Sequence, residues 1–322
     1  MLDDWVTGVG PAVAPTGEGT AGARGGMGGM MGGMGQGMMG GRGMGGGHHG
    51  TPAYDTFTIN GKAYPATEPL RVRKGERVRL RLINASADHT HVVRLGGHRL
   101  KVTHRDGNPL GEAVEVDAVP IAPSERYDVL VTADRPGAWF LYCANPGHAA
   151  AGEQVLVIYD GHERATPGPV KEGISGLKPW HYAMGRGRDI SPRASGGVRA
   201  FSQTLSGGGM MGSGSDEWTI KGKRYPATDP IAVRKGELIQ VRLGNMSMGA
   251  HPMHLHGQSF KVVGVNGQRL AAPVVKDSVD VDPHMGIVDI EFTAHNPGDW
   301  FFHCHRPMHM EGGMIALAKV AG

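Results

Sequence analysis

The strongest constraint on the fold is that the chain repeats itself. The segment INGKAYPATEPLRVRKGERVRLRLINAS, beginning at Ile59, returns 161 residues later as IKGKRYPATDPIAVRKGELIQVRLGNMS, beginning at Ile220. The same offset relates AWFLYCANPGH, from Ala138, to DWFFHCHRPMH, from Asp299. The chain therefore carries two copies of one structural unit. Both copies alternate apolar and polar residues in short runs, such as Arg77 to Leu82, Tyr127 to Val131 and Ile287 to Phe292, broken by Lys-Gly and Pro-Gly turns. That pattern predicts an all-β protein of two tandem antiparallel β-sandwiches.

A length of 322 residues lets each copy bury its own core. We expect one domain over residues 1–161, a Pro-, Gly- and charge-rich linker over 162–197, and a second domain over 198–322. A glycine- and methionine-rich insertion at 17–50 interrupts the first domain, and a shorter glycine-rich tract runs from Gly207 to Ser215. The formal charge of +3 arises from scattered basic and acidic residues, which argues against a nucleic-acid partner. No apolar run approaches the roughly eighteen residues of a membrane-spanning helix, so a soluble protein without a membrane span is expected. The opening MLDDWVTGVG has neither a basic leader nor an apolar core and does not read as a signal peptide. Two cysteines allow at most one disulfide, and the spacing below gives both thiols other work.

The second copy contains HPMHLHGQSF, with His251, His254 and His256, and FFHCHRPMHMEGGM, with His303, Cys304, His305, His309 and Met314. Successive strand side chains point to opposite faces. His303 and His305 thus project one way and Cys304 the other, so a metal held by the thiolate lies across the strand from metals held by its neighbours. A thiolate, two imidazoles and a weak thioether suit type 1 copper, and Cys304, His251, His309 and Met314 supply that set. His254, His256, His303 and His305 leave four imidazoles for a second copper site with open positions. Zinc competes on ligand type, but offers no redox use for a strand that serves both faces.

These motifs resemble the multicopper oxidases, the family of laccases, cuprous oxidases and ferroxidases, and the resemblance covers both copies. It implies cupredoxin-like Greek-key sandwiches and copper as cofactor. It also implies one-electron oxidation of a small reductant, such as a phenol or Cu(I), coupled to reduction of molecular oxygen to water. By the same resemblance His251, Cys304 and His309 bind type 1 copper with Met314 axial, His254 binds type 2 copper, and His256, His303 and His305 bind the type 3 pair. Electrons then pass from Cys304 through His303 and His305. An acid near the cluster is needed for proton delivery, and Glu311 is the candidate. Relatives suggest a periplasmic or extracellular protein.

The family's trinuclear cluster takes eight histidines from two domains, and four are found here. LDDWVTG is similar to the strand that opens the middle domain of three-domain members. The expectation is that this chain holds their second and third domains, with a missing N-terminal domain or a partner subunit supplying the rest. The rival reading is a copper-binding or electron-transfer chain that cannot reduce oxygen by itself, and a two-domain copper nitrite reductase ranks behind it.

In the first copy, HVVRLGGHRL aligns with HPMHLHGQSF after one gap. Arg94, Gly96, Tyr142 and Ala144 replace the four cluster histidines. His91, Cys143 and His148 keep the type 1 spacing, with Glu153 at the methionine position and Gln154 beside it. Two readings stand: a second type 1 copper with Glu153 or Gln154 as axial ligand, or a relic with Cys143 as a small buried hydrophobe. From Met27 to Met44, seven methionines alternate with glycines, followed by His48 and His49. Soft thioethers there could gather Cu(I), or the methionines are incidental to a loop.

Overall fold

The computed structural model describes residues 1–7, 54–173, 193–208 and 217–322. The whole glycine- and methionine-rich insertion at 17–50 and the middle of the expected linker lie outside the described residues. Each repeat folds as a pair of facing sheets. In the first, one sheet runs in the order Leu70–Val72, Gln154–Tyr159, Ala138–Cys143, His91–Leu95, Val119–Ile121. Its partner sheet runs Arg77–Ile83, Arg126–Thr132, Leu100–Arg105, Asn108–Val116, and Leu2–Trp5 pairs with Thr56–Ile59 beside it. The second repeat has the same order: Ile231–Arg234, Ile315–Ala321, Gly298–Cys304, His251–Leu255, Ser278–Val281. Its facing sheet is Trp218–Ile220, Val198–Gly207, Leu238–Asn245, Ile287–Thr293, Phe260–Val265, Gln268–Lys276.

Alternation packs one face of every strand inward. Ile239, Val241 and Leu243 are buried while Gln240 and Arg242 are exposed, and the inward set meets Met253, Leu255, Phe302 and Ala316 from the facing sheet. The runs expected to be strands are strands. The pairing is not wholly antiparallel, however. Leu70–Val72 lies parallel to Gln154–Tyr159, and Ile231–Arg234 lies parallel to Ile315–Ala321. Each of these short strands crosses through a Lys-Gly turn into the opposite sheet. Alternation in the sequence records which face is buried, not the direction of the neighbouring strand.

Both glycine-rich tracts leave the fold at the same place in the repeat, between Trp5 and Thr56 in one half and between Gly207 and Trp218 in the other. The base of the first is closed by Asp55, which accepts from the backbone and hydroxyl of Thr7. The start of the expected linker packs against the first sandwich. The Gly168 N–H donates to the Ala138 carbonyl, and that of Lys171 to the Tyr142 hydroxyl. The domain boundary we propose at Gly161 follows the last strand of that sandwich.

The two halves meet through buried charge. The Lys276 ammonium is fully buried and lies 3.0 Å from Asp106 and 2.9 Å from Glu125, both from the first half. Burial pulls its pKa down, but the two carboxylates prevail and hold it above the usual lysine value. Next to it, the Arg126 guanidinium forks onto both oxygens of Asp277 at 2.7 Å, and Ser124 hydrogen-bonds Ser278. Arg306 pairs with Asp88 at 2.9 Å.

Candidate metal centre

Strand His251–Leu255 lies between Gly298–Cys304 and Ser278–Val281, with Met253 opposite Cys304 and His254 opposite His303. This register sends Cys304 and His251 into the sandwich and His254 and His303 to its outer face. The turn after Cys304 becomes a short helix, Pro307–Glu311, started by proline, and it carries His309 back to the thiol. Gly313 then reverses the chain at φ 113°, where a Cβ would stand 2.9 Å from that of Arg224, so only glycine lets Met314 follow closely.

On the inner face, the Cys304 sulfur is 3.5 Å from His309 Nδ1 and 3.7 Å from His251 Nδ1, and the two Nδ1 atoms are 3.0 Å apart. All three residues are buried and their ligand atoms converge within 4.8 Å, and Met314, whose backbone bonds to Cys304 and His309, is fully buried. Burial pushes the Cys304 thiol up to about 12, so a metal ion must displace its proton to gain the thiolate. The far nitrogen of His251 is held by the Ser247 hydroxyl at 2.7 Å, and Trp218 stacks on His309 with ring centroids 3.6 Å apart. Such outer partners fix ring orientation and tautomer. Neither residue stood out in the sequence, although the repeat offers the clue: Ser86 and Phe57 hold His91 and His148 in the same way.

On the outer face, His254, His256, His303 and His305 gather with neighbouring ring centroids 4.8 to 5.9 Å apart. His256 and His303 turn their Nε2 atoms toward each other at 2.9 Å. Burial drops His303 to about 4, and burial with the neighbouring imidazoles lowers His256 and His305, so these rings stay neutral and able to bind metal below the usual histidine value. His254 Nδ1 meets the Asp277 carbonyl at 2.8 Å, which ties the cluster to the residue that Arg126 clamps from the first half.

Glu311 sits exposed at the end of the helix, with no hydrogen bond or ion pair to the four histidines among the described residues. The buried acid on the outer face is instead Asp280, opposite Pro252 and two residues along from Ser278. Burial raises its carboxyl to about 7, against the pull of Arg306.

In the first half, His91, Cys143, His148 and Glu153 are all buried and bring their ligand atoms within 4.8 Å. The Cys143 N–H donates to the Glu153 carbonyl as that of Cys304 does to the Met314 carbonyl, so Glu153 occupies the place in the first half that Met314 occupies in the second. Gln154, paired with Tyr142, takes the opposite face of the strand. His89 is drawn away to Asp4 at 2.8 Å. Both cysteines are free thiols.

The comparisons with known proteins agree with this layout. Residues 35–162 and 203–321 match two families of domains that both carry the description multicopper oxidase. The chain is 32% identical to a multicopper oxidase of Mycobacterium tuberculosis over 98% of its own length and 60% of the relative's. The chain belongs to the multicopper oxidase family. It is also 29% identical to a laccase of Phlebia radiata, covering 83% of this chain and 58% of that one. Among solved structures, the laccase of Botrytis aclada superposes with a TM-score of 0.68 at 20% identity, over 84% of this chain and 59% of that chain. The cupredoxin-like fold is thereby shared, while the chain spans about three fifths of the relatives it matches. Membership in the multicopper oxidases implies copper, and the donor sets above fit it: sulfur with imidazole on one face, imidazole alone on the other. No helix among the described residues is long and apolar enough to cross a membrane.

Proposed function

We propose that this multicopper oxidase chain takes single electrons from a small donor at the inner face of strand Gly298–Cys304 and delivers them to an oxygen site on its outer face. Cys304, His251, His309 and Met314 would hold the type 1 copper; His254 would hold type 2 copper, and His256, His303 and His305 would contribute to the type 3 pair. Bound copper supplies one-electron redox chemistry on the inner face and reduction of oxygen to water on the outer. The observation that carries the reading is that His303 and Cys304, consecutive at the end of one strand, face opposite sides of it, while His305, just past the strand, brings its ring back beside His303, with partner ligands gathered on each side. The four outer histidines are half of a trinuclear set. The other half would come from a further domain or a partner subunit, which keeps open the reading of an electron-transfer chain that needs a partner to reduce oxygen. By family we place the protein in the periplasm or outside the cell.

Oxygen uptake tests both readings. Uptake with a phenol or Cu(I) should be found only when a domain with the complementary histidines is present. Uptake by this chain alone, as a monomer, would contradict the half-site.

Asp280 holds the proton supply. Its carboxyl is protonated below about 7 and can donate there, so turnover should fall as pH rises through that value. In Asp280→Asn the type 1 absorption should persist while oxygen uptake slows roughly 10²-fold or more, consistent with loss of a general acid. An unaltered pH profile in the variant would rule this role out.

The donor we favour is Cu(I). Met246, Met248 and Met285 are exposed on two loops that hydrogen-bond to each other beside Ser247 and His251. Exposed thioethers have no core to fill here, and soft sulfur favours Cu(I). Replacing all three with serine should lower Cu(I) oxidation at least tenfold and leave phenol oxidation within about twofold, since lost thioether ligation affects only the copper donor. Equal losses for both donors would point to a damaged site instead.

A further inference from the structure

We propose that His91, Cys143, His148 and Glu153 hold a redox-silent divalent ion of the zinc class, which locks the first sandwich and takes no part in electron transfer. Their positions repeat those of the type 1 set, but the fourth donor has changed from a neutral thioether to a carboxylate. The Cys143 sulfur is 3.5 Å from His148 Nδ1, His148 Nδ1 is 3.1 Å from Glu153 Oε2, and His91 Nδ1 is 2.8 Å from the same oxygen. Tetrahedral bonds of ~2.0–2.3 Å put neighbouring ligand atoms roughly 3.3–3.8 Å apart, so a small outward relaxation of these four side chains accommodates an ion.

Charge decides which ion. A thiolate and a carboxylate bring two negative charges, which a divalent ion cancels. Cu(I) would leave one of them uncompensated in a fully buried site, and so the reduced state that a type 1 centre must visit is disfavoured. Cys, His and Glu in a closed set of four are ordinary zinc donors. Glu153 Oε1 is an independent pointer: it is buried and lies 2.7 Å from His91 Nδ1, yet makes no hydrogen bond, a costly arrangement without a cation.

Nor has the site an outlet for an electron. Tyr142 and Ala144 stand where the type 1 cysteine has its histidines, and both are buried. What the site does have is support. Ser86 bonds the other nitrogen of His91, and Phe57 stacks on His148 at 3.8 Å between centroids. An ion there would tie the turn carrying His148 and Glu153 to strands His91–Leu95 and Ala138–Cys143.

The test uses the full chain with Cys304→Ser, which removes the other thiolate. Beyond any ion taken by the outer histidines, it should bind one equivalent of Zn(II) per chain that is lost on adding Cys143→Ser, and that equivalent should raise the thermal midpoint. Co(II) in its place should give a thiolate-to-cobalt band in the near ultraviolet and the intense visible bands of a tetrahedral ion, both lost on adding Cys143→Ser. Glu153→Gln keeps the shape of the site and removes the charge, so a weakening of Zn(II) binding by tenfold or more is expected even if the serine variant fails to fold. In Glu153→Met, Cu(II) should gain the blue absorption of a type 1 centre. The proposal is overturned if no Zn(II) or Co(II) binds, if Glu153→Gln binds zinc unchanged, or if the Cys304→Ser chain already forms a blue copper that ascorbate reduces and oxygen or ferricyanide reoxidises.

Discussion

Replacing Cys304 with serine is expected to erase the thiolate-to-copper absorption of the whole protein and to stop oxygen uptake. Serine fills nearly the same volume in the fully buried site, so the sandwich should remain intact. It replaces a soft, ionisable sulfur with a hydroxyl that does not ionise at neutral pH, and the two imidazoles left behind cannot hold a type 1 copper. Changes to a residue that merely orients a ligand cost roughly 10–100-fold in metal affinity, and loss of the thiolate itself should exceed that. The same change at Cys143 should leave the visible spectrum and the uptake rate as they were, because the first half has no histidines flanking its cysteine. Absorption and copper content measured on the two variants separate the sites. Residual blue colour in Cys304→Ser would place a working type 1 centre in the first half and reverse the roles assigned above.

Much of this was legible in the sequence because strand geometry is so regular. The repeat gave the number of sandwiches, and alternation alone separated Cys304 from His303 and His305 before any contact was known. What the sequence could not convey is what lies between elements that are distant along the chain. Trp218 over His309 is separated from it by most of the second sandwich, and nothing local marks it. Glu311, three residues before Met314, looked near the chemistry, yet the helix turns it to solvent, while Asp280 lies buried on the histidine face two strands away from the motif. Glu153 and Gln154 were equal candidates until the pairing of Gln154 with Tyr142 set one on each face. Lys276 is the sharpest case. A lysine in the run VVKDSV reads as a solvated residue, because periodicity reports burial within one sandwich and says nothing of a second one pressed against it.

That second sandwich makes Lys276→Met the other change expected to have a large effect. Removing the ammonium leaves Asp106 and Glu125 buried together with no cation at 3 Å, and breaking such a pair costs about 3–5 kcal/mol. For a chain of this size the thermal midpoint should fall by roughly 6–12 °C. The sign with pH follows from the raised pKa: the lysine's contribution is complete below the ordinary value of 10.5 and is lost only as pH climbs through its higher folded value. The deficit of the variant should therefore be undiminished across the neutral range. Adding Asp106→Asn and Glu125→Gln should recover much of it, since uncharged partners are no longer stranded. The consequence reaches the metal centre, because Lys276 precedes Asp277, whose carbonyl holds His254 and whose carboxylate is clamped by Arg126. Lys276→Met should accordingly weaken copper retention at the outer histidines while sparing the type 1 absorption across the strand. A midpoint within about 1 °C of the parent would mean that the buried triad contributes no net stability, and that the halves are held by the exposed rim of their interface.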